Sequence, residues 1–183
     1  MFFFTNEEKN IKIKPNSIEH AYLLILNDDL DNARQIFLSN DSPRSRWGVS
    51  LISILKGSMD RFPSYFEIRN FFEIDLDFLI KNEKLDYIEL LLGSTNLLFQ
   101  INQEAYKYVA RVMFENNILE MVLLYLEKAK KYFYKDAELH FLISKYYYSI
   151  KDYENSEHYI NECLKILPEY YPAKKLKNML NIH

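Results

Sequence analysis

Residues 136–168 read DAELHFLISKYYYSIKDYENSEHYINECLKILP, and this stretch decides the fold. Leu139, Ile143, Tyr147 and Ile150 recur at helical spacing. A polar break follows at Lys151-Asp152, then a second apolar stripe at Tyr153, Ser156, Ile160 and Cys163, closed by Pro168. Two amphipathic helices joined by a turn of two or three residues satisfy this pattern. A shift of 34 places toward the N-terminus lands each position on a residue of the same size class. His140 maps to Tyr106, Ser144 to Ala110, Tyr147 to Met113, Tyr153 to Leu119, Ser156 to Val122, Ile160 to Leu126 and Cys163 to Ala129. The small members (Ala110, Ala129, Ser144 and Cys163) belong where two helix axes approach closely, because a bulky side chain there would overpack the contact.

With His140, Ile143-Ser144, Tyr147, Ser156, Ile160, Cys163 and Pro168 in its conserved places, and Asp152-Tyr153 at the turn, the segment resembles the tetratricopeptide family. It departs from the motif in three places: the first aromatic is missing, Ser stands for the first Ala, and Ile stands where an aromatic is usual. The 34-residue offset is the length of that repeat. The resemblance implies an all-α, right-handed solenoid of antiparallel helical hairpins with a C-terminal capping helix. Pro172 to Leu180 is expected to form that cap, with Lys174, Lys175 and Lys177 outward.

Upstream the motif thins. Residues 1–16 are expected to be flexible or extended, 17–101 to form irregular helical hairpins, and 102–183 to hold two repeats plus the cap. Within the middle region, Ala21 and Leu24 on one helix and Leu30, Ala33 and Phe37 on another flank a turn at Asn27-Asp28-Asp29. Ser42-Pro43 opens a helix through about Leu55, since Pro is tolerated at the first helical position. Ser64 and Glu67 form a capping box that starts a helix to about Lys81. Leu85 to Leu92 is its partner, in a stretch that reads as helical but not as a regular repeat. Asn102 is expected to cap the first clear repeat.

Composition bounds the function. The chain has 183 residues, 27% of them charged, with a net charge of −3. Binding to the phosphate backbone depends on a basic excess, which is missing, so nucleic acid is not an expected partner. Met1 to Phe4 is too short an apolar run for a secretory signal, and no window is long enough to span a membrane. A single Cys163 fits a reducing compartment. The expected location is cytoplasmic. The fifteen Tyr and thirteen Phe are best explained by core filling and by an AT-rich, bacterial-like codon bias that also supplies Ile, Asn and Lys.

No catalytic constellation is legible. His20, His140, His158 and His183 lack metal-ligand spacing and read as surface or interface imidazoles; no metal and no cofactor is expected. Cys163 occupies a packing position rather than an electropositive, exposed one. Three isolated glycines cannot build a phosphate loop. Asp28/Asp29 and Asp75/Asp77 read as a turn and a solvated face. The chain is therefore not expected to be an enzyme.

What the resemblance implies is a non-catalytic scaffold or adaptor whose groove is lined by the first helix of each repeat. In the two clear repeats the groove residues are Lys107, Arg111, Phe114, Phe141, Lys145 and Tyr148. Cations alternating with rings suit an acidic or aromatic-anchored protein or peptide. The family's carboxylate-clamp arrangement is not matched: Lys107 fits its first place, but Arg111 and Leu142 stand where Asn belongs. A second candidate patch comprises Arg44, Arg46, Trp47, Arg61 and Arg69, at helix starts that favour anions. Alternative readings are a secretion-type chaperone for one client, a small-molecule- or anion-binding helical domain, and a homodimer paired through the N-terminal hairpin.

Overall fold

The computed structural model describes residues 14–180, and the expected extended segment 1–16 lies almost wholly outside them, as does His183. Every regular element among the described residues is a helix. They form two compact units that meet in sequence at Phe62/Pro63.

The first unit holds α1 (Ile18–Leu26), α2 (Leu30–Leu38) and α3 (Pro43–Leu55). Each start is capped by the side chain before it. Ser17 accepts the His20 N–H, Asp29 that of Asn32, and Ser42 that of Ser45, with Pro43 following as expected. Helix α2 packs on both neighbours. Ala21, Ile25, Ala33, Phe37, Trp47, Leu51 and Ile52 are almost fully buried there. Gly48 lies against Phe37 so closely that a Cβ would come within 2.5 Å of the ring. That is why the middle of α3 carries the weakest non-proline helix former.

The second unit is a stack of hairpins. Helix α4 (Tyr65–Lys81) opens with the predicted capping box: the Glu67 N–H donates to Ser64 Oγ at 3.3 Å, and the Ser64 N–H to Glu67 Oε2 at 3.0 Å. Then come α5 (Leu85–Gly93), α6 (Thr95–Ile101), α7 (Ala105–Glu115), α8 (Leu119–Lys130), α9 (Ala137–Ser149), α10 (Tyr153–Ile166) and α11 (Tyr171–Leu180). The first helices α4, α7 and α9 contact one another in succession, and each also packs on its own hairpin partner. Helix α11 packs on α10 and α9, burying Ala173, Leu176 and Leu180 against Ile160 and Cys163. Lys174 and Lys175 face solvent and Lys177 is half-buried, donating to Asn161 Oδ1 at 2.8 Å.

Two features correct the sequence reading of the middle region. The hairpin α4–α5 is in register with the others. Glu83, Asn117 and Lys151 have φ of 55°, 59° and 63°, and each is 34 residues from the next. At each the following N–H reaches back to close the first helix: Lys84 to Leu79, Ile118 to Met113 and Asp152 to Tyr147, at 3.1, 2.9 and 2.9 Å. This is the left-handed helix termination that satisfies otherwise orphaned carbonyls. None of the three residues is Gly, so the left-handed geometry of these turns is not marked by the usual residue. The second correction is α6. Helix α5 is followed after Ser94 by a further helix, α6, which packs on α5 and α7, and the Ser94 hydroxyl donates to the Leu91 carbonyl at 2.7 Å. The interruption hides the repeat length.

The small-residue seams are as expected, with Ala110, Ala129, Ser144, Ser156 and Cys163 at no more than 1% exposure. Serine replaces alanine at two of them without leaving an unpaired polar group. The Ser144 hydroxyl donates to the Ser156 carbonyl at 2.7 Å and the Ser156 hydroxyl to the Ser144 carbonyl at 2.9 Å. Two buried hydroxyls thereby satisfy each other across α9 and α10. Asn102 is buried at the entry to α7 and accepts the Glu104 N–H at 3.0 Å, with α7 beginning at Ala105.

Candidate functional site

Helices α4, α7 and α9 carry an ion-pair network on their shared face. The Lys107 ammonium is almost enclosed, its side chain 3% exposed. It donates to Glu104 of the residue pair before α7 at 2.6 Å, to Asp136 at 2.5 Å and to Glu138 at 3.1 Å. Asp136 also caps α9, accepting the Leu139 N–H. Arg111, one turn on, donates through Nε to Glu73 of α4 at 2.7 Å and through Nη1 to Glu138 of α9 at 2.6 Å. Asn116 adds a bond to Asp77 at 2.9 Å, and Asp77 pairs with Lys81. Two cations on α7 therefore tie the neighbouring first helices together.

Burial alone would lower the Lys107 pKa, but hydrogen bonds to Asp136 and Glu104 and the charge of Glu138 hold it well above the ordinary lysine range. Arg111 is likewise raised, desolvation being outweighed by Glu73 and Glu138. Both groups are fixed as cations. Oxygens of Glu104, Asp136 and Glu138 lie within 4.8 Å of one another, a spacing a cation could use, and the Lys107 ammonium is bonded to all three. The lysine ammonium itself occupies the cage.

This geometry changes the reading of the six groove residues. Lys107 and Arg111 are committed to carboxylates of the same chain, Lys107 with almost none of its side chain exposed. The carboxylates lie outermost: Glu73 and Glu138 keep 32% and 38% of their side chains exposed, against 3% for Lys107. Phe114 and Lys145 meet across α7 and α9, the ammonium 4.3 Å from the ring centroid. Phe141 and Tyr148 were expected to avoid the packing seams and do not. Both pack against the C-terminal apolar cluster, Phe141 edge-on to Tyr170 at 5.5 Å and Tyr148 against Tyr153 at 5.7 Å. The capping helix needs apolar cover from α9, and these rings supply it.

The second candidate patch is divided between the units. Trp47 is fully buried in the first. Arg44 lies 4.7 Å over the Tyr22 ring, and Arg46 pairs with Asp41 at 2.7 Å. Arg61 donates to the Arg46 carbonyl and to the Ser50 hydroxyl, both at 2.5 Å. Arg69 is exposed on α4 of the second unit. Arg61 ties the loop after α3 back to that helix, while Arg44 and Arg46 tie α3 to α1 and to the residue before its cap.

Elsewhere, His140 is buried rather than superficial, its Nε2 2.9 Å from the Tyr134 carbonyl. Cys163 is a buried thiol pushed up to about 11, chiefly by desolvation, as a packing residue requires. Asp75 is fully buried while Asp77 is partly exposed, so the pair does not share a face. Among the described residues no helix is long and apolar enough to cross a membrane. The sequence reading missed residues 128–135, where four lysines and three aromatics end α8. The signal was present as composition, but it lies outside the motif positions that guided the reading.

No protein-family model and no curated protein matches the chain. Among solved structures the chain is similar to YrrB, described as a TPR protein with an unusual peptide-binding site. The identity is 17%, the match covers 92% of this chain and 95% of that one, and the TM-score is 0.46. The architecture here rests on its own hairpins: an all-α fold of antiparallel helical pairs, repeated every 34 residues through the second unit.

Proposed function

We propose that the chain is a non-catalytic scaffold that holds a protein or peptide partner on the shared face of α4, α7 and α9. The observation that carries this reading is the side-by-side stacking of those three first helices, which offers equivalent positions at regular intervals to an extended ligand. On that face Phe114 and Lys145 are the groove residues not committed to the ion-pair network or to the C-terminal seam. Apolar area beside a cation suits a side chain with a ring or a carboxylate. Lys107 and Arg111 add shape rather than free charge.

The test is affinity capture from the cell of origin with wild-type protein and with Phe114→Ala/Lys145→Glu. Both positions are only partly buried, so the variant should fold. Loss of the wild-type partner is the expected result. Retention of the same partner at the same yield removes this face from the binding role.

A further inference from the structure

Residues 128–135 read KAKKYFYK, spanning the last turn of α8 and the connection to α9. Among the described residues, Lys130 alone of its four lysines has a carboxylate within 4 Å, Glu127 at 3.5 Å. Lys128, Lys131 and Lys135 have no ion pair among the described residues, in contrast to Lys107. Counting Glu127 with the four lysines gives 4 − 1 = +3 over residues 127–135, in a chain whose net charge is −3. Tyr132 and Tyr134 stand beside them, 57% and 67% exposed.

The segment is held in place. The Tyr132 and Phe133 N–H groups both donate to the Ala129 carbonyl at 3.0 Å, and the Asp136 N–H donates to the Phe133 carbonyl at 3.1 Å. The Tyr134 carbonyl can only accept, so the buried His140 must donate to it through Nε2. The Tyr132 ring leans on Phe99 with centroids 4.6 Å apart. Lys128 lies 4.8 Å from the Tyr125 ring and Lys130 4.8 Å from that of Tyr159. A ligand meeting this surface finds little left to order, which is the usual penalty on loop binding sites.

We propose that residues 128–135 form a second docking surface, distinct from the first-helix face, for an acidic segment of a partner protein. It shares with the scaffold reading only the premise that the partner is a protein. Charge complementarity names the occupant: lysines without an internal carboxylate meet those of the partner, and Tyr132 and Tyr134 add area with a polar tip. A nucleic-acid site typically neutralises about 6–10 phosphates, a longer basic track than four lysines provide. Lys107 and Arg111, the groove cations expected to meet an acidic partner, are spent on internal carboxylates, and the end of α8 offers lysines that are not.

The experiment is fluorescence anisotropy on the full chain with a labelled peptide alternating Asp/Glu with Leu/Phe. The controls are its Lys/Arg counterpart, a single-stranded oligonucleotide and phosphatidylserine vesicles. Wild type should bind the acidic peptide at least about tenfold more tightly than the basic one. Lys131→Glu/Lys135→Glu should lose at least about tenfold, Lys131→Gln/Lys135→Gln should lose less, and Lys175→Glu, exposed on α11 away from both surfaces, should lose nothing. Equal affinity in the Glu double variant, tighter binding of the oligonucleotide or vesicles, or no peptide binding overturns the proposal. Each of these outcomes leaves the first-helix face to its own capture test, which does not involve Lys131 or Lys135. Both lysines are exposed, so unchanged circular dichroism separates lost binding from lost folding.

Discussion

Lys107 surrenders almost all the hydration of its ammonium and recovers it from three carboxylates, each still partly in water. Removing the cation leaves those carboxylates facing one another. Lys107→Met should cost about 2–4 kcal/mol at neutral pH, less than a fully buried pair because the acids are half-solvated. Thermal melts of the variant and the wild type at neutral pH read this deficit. In wild type the raised lysine pKa makes its contribution complete below the ordinary lysine range and lost only above it. Ala129 presents the opposite case, an apolar site with 0% exposure in the α8 seam. Ala129→Arg should destabilise by more than about 3 kcal/mol, while Lys131→Glu should stay within about 0.5. Equal melting shifts in the two variants would show the 34-residue frame to be wrong.

At the scale of an element, the sign of a substitution depends on which local term is larger. Gly48→Ala in α3 gains about 1 kcal/mol of helix propensity. It also drives a methyl to 2.5 Å from the Phe37 ring, which is 1% exposed and has no room to retreat. Overpacking typically costs about 1–3 kcal/mol, so net destabilisation by denaturant titration is expected. At the α9–α10 turn the balance reverses. Lys151 is exposed at φ 63°, a conformation an L side chain adopts reluctantly. Lys151→Gly should raise stability by about 0.5 kcal/mol, the relief of strain exceeding the added freedom of the unfolded chain. Element boundaries with a side-chain mechanism were legible beforehand: Ser42-Pro43, Ser64…Glu67 and Pro168. The left-handed backbone at Glu83 and Asn117, which uses no Gly, was not, and neither was α6 beyond the break at Ser94.

Across the whole molecule, a stack of hairpins leaves an open end that something must cover. Helix α11 does so for α9 and α10 by burying Ile160 and Cys163 with Ala173, Leu176 and Leu180. A chain ending at Pro168 should melt lower by a few kcal/mol of lost apolar burial. Its Cys163 should react with a thiol reagent at pH 8, whereas in the intact protein burial pushes the thiol up to about 11 and keeps it inert. Unchanged thiol reactivity after truncation would mean that α11 does not seal the seam.

The sequence by itself determined the helices other than α6, the 34-residue period of the C-terminal hairpins and the small-residue seams, because these follow from short-range spacing and side-chain volume. It also marked the first helices as the repeating face, since motif positions assign them. Only the tertiary structure decided which charges are free. Glu73, Lys107, Arg111, Asp136 and Glu138 lie far apart in the chain, and their pairing depends on how α4, α7 and α9 stack. A cation's availability is set by the carboxylates that packing brings within 4 Å, not by its place in a repeat. The same packing leaves Lys128, Lys131 and Lys135 without such neighbours at the end of α8.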